Sequence, residues 1–216
     1  MKKFFLILIF YILFVNHIFA QIHEEPIAIN GAIIQGEKVE VGGTLTSAIG
    51  FQTKAGGNYS FASGINSQAT GNYSFAIGNA SKAIGNMSFA GGWNAIAEGS
   101  VSFAFGDYSI AKLTNAIAFG NNAQALRPYS IAIGNNTIAG QDISPFKGTN
   151  AICIGNQSHA EADYSMALGQ YVKSGGSNSI VIGKGYSTSQ NLVNNTANSM
   201  AIGFGSTLPT LFISGS

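Results

Sequence analysis

The chain repeats itself every fourteen residues. "NYSFASG" (Asn58 to Gly64), "NYSFAIG" (Asn72 to Gly78) and "NMSFAGG" (Asn86 to Gly92) stand at that spacing. Aligned on the closing glycine, the units end at Gly50, Gly64, Gly78, Gly92, Gly106, Gly120, Gly134, Gly155, Gly169, Gly183 and Gly203. Six consecutive steps are 14 residues, followed by one of 21, two of 14 and one of 20. A short, fixed period means that each unit buries its faces against the next, so the chain stacks as a solenoid. Fourteen residues are too few for a helix pair, which takes more than about 30. Segments of about five residues with alternating character, punctuated by Gly and Asn, read instead as strands. Two strands and two tight turns make one coil, and successive coils pair strand on parallel strand about 4.8 Å apart.

Each coil holds two different strands. Two places before the glycine stands Ala, from Ala48 through Ala201, with Cys153 and Val181 as the exceptions. Five places after it stands a second small residue, from Ala55 through Ala160, then Ser174 and Thr188. In "SFAIG" one face carries Phe75 and Ile77, and the other Ser74, Ala76 and Gly78. Neither face is built for water, and a coil of this size has little interior to fill. The second face is therefore expected to meet another copy of the chain, because cyclic association repeats one row of side chains around an axis. The strand after the glycine alternates the small residue with Lys54, Gln68, Lys82, Gln124, His159 and Lys173, interrupted by Ile96, Ile110 and Ile138. That row is expected to face water. Asn79, Asn121, Asn135 and Asn156 directly follow a repeat glycine. They are expected to take the positive φ of tight corners.

Outside the repeat, residues 1–20 read as a secretory signal peptide. Lys2 and Lys3 precede an apolar run from Phe4 to Val15, with cleavage expected after Ala20. That run is shorter than the roughly 20 residues a spanning helix needs, and no other segment is long and apolar enough to span. Residues 21–43 hold "IAINGAIIQG" and "EKVEVGG". They are expected to form two short strands capping the open end of the stack. Charged residues make up only 9% of the chain, and the formal net charge is +1. Without Lys2 and Lys3 it becomes −1, from 8 basic against 9 acidic residues. Such a chain has no basic surplus for holding nucleic-acid phosphates. The one cysteine, Cys153, cannot form an intrachain disulfide, and its place in the repeat suits a small structural residue.

The units "NYSFAIG", "PYSIAIG" and "DYSMALG", with the small-residue half-repeat between them, resemble the head repeats of trimeric autotransporter adhesins (the YadA-like head, or Hep/Hag repeat) over residues 44–205. The resemblance implies an all-β fold, a left-handed parallel β-roll of 14-residue coils assembled as a homotrimer. It also implies an adhesive role at the cell surface (outer membrane) or outside the cell, toward a matrix protein, a glycan, a cell or another copy of itself. Family members continue into a neck, a stalk and a membrane barrel. No heptad run follows Gly203, and residues 206–216 read as a tail opening a further element. The alternatives are a stiff spacer presenting that element and, with less support, a secreted polysaccharide-active solenoid enzyme.

Candidate contact residues are few. The outer row of Lys54, Gln68, Lys82, Gln124, His159 and Lys173 is one candidate surface. The two long steps carry insertions within Gln141 to Asn150 and within Tyr186 to Asn198. Loops on a rigid scaffold are common recognition sites, with plain corner loops as the alternative. Tyr59, Tyr73, Tyr129 and Tyr164 recur five places before the glycine. Packing at a subunit seam suits them better than an exposed sugar-stacking ladder. No catalytic constellation, cofactor motif or metal-ligand set is expected: Glu161 and Asp163 lie near His159, but alternating strand residues and one turn do not by themselves make a metal site.

Overall fold

The computed structural model describes residues 27–29, 32–142 and 147–215. The signal-peptide reading of residues 1–20 and the start of the capping segment lie outside these. The described chain is a parallel β-solenoid whose coils each contribute one strand to either of two sheets. The long-strand sheet has 14 strands and the short-strand sheet 11. One coil shows the plan: a long strand Phe75–Asn79, a corner, a short strand Lys82–Ala83, and a second corner into Phe89–Trp93. Every neighbour pairs fourteen residues away in the regular coils, as Phe75 with Phe89 and Lys82 with Ile96. The expected stack of 14-residue coils is what the chain forms.

Narrow coils explain the choice of alanine. The inward positions of the long strands (Ala48, Ala62, Ala76 and their successors) face those of the short strands (Ala55, Ala69, Ala83 and theirs), all at 0% exposure. The remaining inward places are mainly Ser, Thr or Ala. Several buried serines close the corner before their strand: Ser74 Oγ donates to the Gly71 carbonyl at 2.6 Å, and Ser88 and Ser102 repeat the bond on Gly85 and Gly99. A buried methylene or methyl contributes only about 0.8 kcal/mol, so the interior alone gives each coil little. The large side chains instead stand on the outer face of the long-strand sheet. There Phe61, Phe75, Phe89 and Phe103 stack with centroids 4.6, 5.3 and 5.0 Å apart. These distances match the inter-strand spacing of about 4.8 Å, so parallel register by itself brings the rings into contact. Each such pair contributes roughly 0.5–1.5 kcal/mol beyond its buried area.

Two features differ from the sequence expectation. The positive-φ corners fall one residue later than the asparagines that follow the glycines. Asn79, Asn135 and Asn156 end their strands, and the corner is taken by Ala80, Asn136 and Gln157 at φ of 55°, 50° and 50°. The other corner residue is the one five places before the glycine. Tyr59, Tyr73, Met87 and Val101 sit there at φ between 55° and 57°. That conformation costs a non-glycine residue about 1–2 kcal/mol. It is held by the ladder running on through the corner: Tyr73 N donates to Asn58 O, and Met87 N to Asn72 O, both at 2.8 Å. Thr188, read from spacing as an inward small residue, lies in an inserted loop instead. Asn194 takes the inward place, paired with Ser174, because the six extra residues enter before the short strand Leu192–Asn194.

The stack begins earlier than the first clear repeat. Ala32–Glu37 already pairs in parallel with Ser47–Phe51. Ile27–Ile29 folds back on it antiparallel. At the other end Leu211–Ser214 folds back antiparallel on Ser199–Phe204. Both outermost long strands are thus covered by a hairpin, which limits the unpaired backbone offered for edge-to-edge growth.

The repeat glycine is required by the stack. From Gly50 to Gly183 the column holds φ between +115° and +150°. A Cβ built on Gly78 would run into the Gly92 carbonyl of the next coil. Gly78→Ala is expected to lower stability by at least about 3 kcal/mol, since both the backbone conformation and the rung spacing oppose it. Gly205→Ala, at φ 60° with open space around it, is expected to cost about 1 kcal/mol. Denaturant midpoints of the two variants test the contrast.

Candidate functional site

Parallel register places the outer row of the short-strand sheet in a single file: Lys54, Gln68, Lys82, Ile96, Ile110, Gln124, Ile138, His159 and Lys173. Eight rungs separate Lys54 from Lys173, roughly 38 Å at the strand spacing. The six polar members are therefore not one site. Lys54 pairs with Glu40 at 2.9 Å near one end. Gln124 Nε2 donates to Asn122 Oδ1 at 2.9 Å midway. Lys54, Gln68 and Lys82 stand on consecutive rungs at one end, and His159 and Lys173 on consecutive rungs at the other, where both reach Glu161.

Glu161 is the hub of that group. Lys173 Nζ lies 2.7 Å and His159 Nδ1 3.5 Å from its Oε1, and Gln141 Nε2 donates to Oε2 at 2.9 Å. The hydrogen bond from His159 contributes most, joined by Lys173 and Gln141. Together they outweigh burial and hold the carboxyl at about 2, against an ordinary 4.5. Gln141 belongs to the first inserted loop. Its neighbour Asp142 pairs with Lys112, and its Oδ1 accepts from Arg127 Nη2 at 2.9 Å. The contact with Lys112 is the largest cause of the lowered Asp142 pKa. Asp163, four residues after His159, turns the other way. Its Oδ1 accepts from the backbone N–H groups of Gly148 and Thr149 at 2.8 and 2.9 Å and anchors the foot of the loop.

The second insertion leaves at the opposite corner, after the long strand Ile180–Lys184. It turns through a Ser187–Gln190 bridge and rejoins the ladder where Leu192 N donates to Tyr171 O at 3.0 Å. Two hollows open between the insertions and meet at His159. One, of about 310 Å³, is lined by Asn136, Gln157, His159, Thr188 and Asn191. The other, of about 220 Å³, is lined by Leu126, Ile138, Gly140, Gln141, Asp142, His159 and Glu161. A larger depression of about 550 Å³ lies beside Lys38, Glu40 and Lys54. No inserted segment walls it. Sequence reasoning singled out His159, Lys173 and the long steps but missed Glu161 as a hub, and missed Asn136, Gln157 and Asn191. The available signal was the position of each insertion within its coil.

The period, the parallel register and the corner pattern can now be set beside known families. The YadA head domain repeat (2 copies) matches at residues 42–67, 55–81, 114–137 and 147–171. These matches support a YadA-like head. The unmatched coils between residues 82 and 113 continue the same register, Phe89 on Phe103 and Ile96 on Ile110, so the head runs unbroken between the matched segments. No curated protein matches the chain. Among the described residues no group of three or more His, Cys, Asp or Glu is placed to hold a metal ion, and no helix is long and apolar enough to cross a membrane.

Cys153 sits inside the head in the alanine column. Its Sγ donates to the Ser158 carbonyl at 2.9 Å, and burial pushes the thiol up to about 12. Alkylating reagents at neutral pH are expected to leave it unmodified until the protein is denatured, as mass spectrometry would show. The Glu161 pKa is depressed on folding, so its stabilising contribution is full above the ordinary carboxylate value. It fades as pH falls from about 4.5 toward 2. Glu161→Gln should therefore cost roughly 1–3 kcal/mol at neutral pH and progressively less toward pH 2, read from denaturant curves across that range.

Proposed function

We propose that this head is the binding module of an exported, homotrimeric adhesin, acting at the cell surface or outside the cell without enzymatic chemistry. One observation carries the reading: the large apolar side chains of the long-strand sheet lie on its outer face. Ile77, Phe105 and Phe119 are 40%, 41% and 48% exposed in the single chain. They stand beside a row that is half-buried from Phe61 to Phe103 and from Ile131 to Met166, with Ile117 exposed between. An apolar stripe of this length on one sheet, broken in the Ile77 row only by Ser63 and Gly91, suits burial against copies of itself. Three copies are what the YadA-like head family supports. Each copy would then direct its short-strand sheet, with the polar row and the two insertions, toward solvent. Three equivalent faces raise avidity without any new contact. The exposed tyrosines belong to the same question. Tyr59 and Tyr73 stack at 5.0 Å and 6°, at corners flanking the long-strand sheet where a neighbouring copy would cover them.

The walled hollows on the opposite face favour a binding module over a plain spacer, which has no use for them. Light scattering is expected to return three times the chain mass at micromolar concentration. A Phe75→Asp, Phe89→Asp double variant is expected to lose assembly by at least about tenfold in concentration, since each charge must be desolvated at every seam. Both side chains point away from the coil interior, so circular dichroism should still report β structure. A monomeric parent protein would overturn the assembly, and an unaltered trimer in the double variant would show that the stripe is not the seam.

A further inference from the structure

We infer that the groove between the two insertions binds a neutral oligosaccharide, with His159 at its centre; this rests on the head being a binding module. The insertions interrupt the period in different coils and at opposite corners of the roll. One follows the short strand Ile138–Ala139, the other the long strand Ile180–Lys184. Corner loops that merely fill a gap have no reason to reach the same rung. Gln141 and Asp142 of the first and Thr188 and Asn191 of the second line the same stretch of sheet from either side, and His159 lines both hollows.

The lining decides the ligand class. In the larger hollow the carboxamides of Gln157 and Asn191, the Thr188 hydroxyl and the His159 ring offer donors and acceptors and no fixed charge, beside Asn136, whose carboxamide accepts from Asn122 and donates to Asn135. Such groups match sugar hydroxyls, which donate and accept at once. Asn191 Oδ1 is buried with no hydrogen-bond partner, a cost of about 1–3 kcal/mol unless a donor is supplied. Beyond His159 the floor turns apolar at Leu126 and Ile138, a surface suited to the C–H face of a sugar ring. The charges in the far wall are already spent on one another, Glu161 on His159 and Lys173, Asp142 on Lys112 and Arg127. Three cations against two carboxylates leave one net positive charge, locally paired, which is a weak field for selecting an anion. The volumes fall near the lower end of ordinary small-ligand sites. The groove also lies on the opposite side of the roll from the apolar stripe, so assembly through that stripe leaves it open.

The test uses the full chain and immobilised tetrasaccharides of glucose and of N-acetylglucosamine, beside sulfated and uronate chains of similar length. At least one neutral tetrasaccharide is expected to bind and to keep its affinity in about 0.5 M NaCl, where exposed charge pairs are screened. His159→Ala is expected to weaken it about tenfold, and Gln157→Ala and Thr188→Ala about fivefold each, the usual worth of one or two hydrogen bonds. Glu98→Ala, on the same sheet away from both insertions, should leave it unchanged. Thr188→Ala lies in a loop outside the stacked coils, so it stays informative if a coil variant fails to fold. No neutral binding at about 10 mM, capture of only sulfated or uronate chains with loss in salt, or equal weakening by Glu98→Ala would each overturn the site. Light scattering on the same samples separates the two readings. A trimer that binds no neutral sugar removes the groove and keeps the assembly, and a monomer that binds one does the reverse.

Discussion

Everything in this head depends on the spacing of one backbone rung, held in register by parallel hydrogen bonds to the coil before and the coil after. A repeat at about 4.8 Å leaves no room for a side chain where carbonyls stack, so the glycine column follows. The same spacing sets the aromatic rows at contact distance and extends through the corners, where ladder bonds hold non-glycine residues such as Tyr73 and Val101 at positive φ. Register here is an energetic unit. Slipping a coil by one residue would turn Phe75 into the alanine interior and Ala76 out to solvent.

The narrow interior governs the exterior. Because the coil accepts mostly methyls and hydroxyls, with larger groups only at places such as Cys153, Val172, Val181, Leu192 and Asn194, most of the chain's large apolar surface must go outward. This inverts the usual plan of a globular domain, in which the largest side chains fill the centre. It also makes the two faces of the roll unequal. One carries the apolar stripe, and the other a mixed row in which charges are locally paired, as at Lys54–Glu40 and around Glu161. The apolar stripe and the polar row thereby lie on opposite sides without any change in the coil itself.

The insertions lengthen corners without disturbing the solenoid. Extra residues at a corner leave the stack intact: Ile131 still pairs with Ile152 across the first insertion, and Val172 with Leu192 beside the second. The scaffold meanwhile fixes where the loops can reach. Asp163 bonds the foot of the first loop, and the ladder bond of Leu192 closes the second, so both are anchored at their bases by the coils they interrupt.

Much of this was legible in the sequence. The period, the alanine columns, the outward Phe and Ile rows and the polar outer row all reflect contacts between a residue and its counterpart one coil away, and such contacts repeat visibly. The corner conformation was misplaced by one residue at Asn79, because Gly and Asn signal a turn without saying which residue takes the positive φ. Thr188 was misassigned because counting from the glycine fails once an insertion precedes the strand. The sequence by itself determined the coil, its stacking and its small-residue interior, since each is a periodic, local demand. Only the tertiary structure decided that Glu161 gathers His159, Lys173 and Gln141, and that two insertions far apart in the chain close on one groove. Those contacts join positions that the period does not relate, and they depend on how far each loop reaches across the sheet.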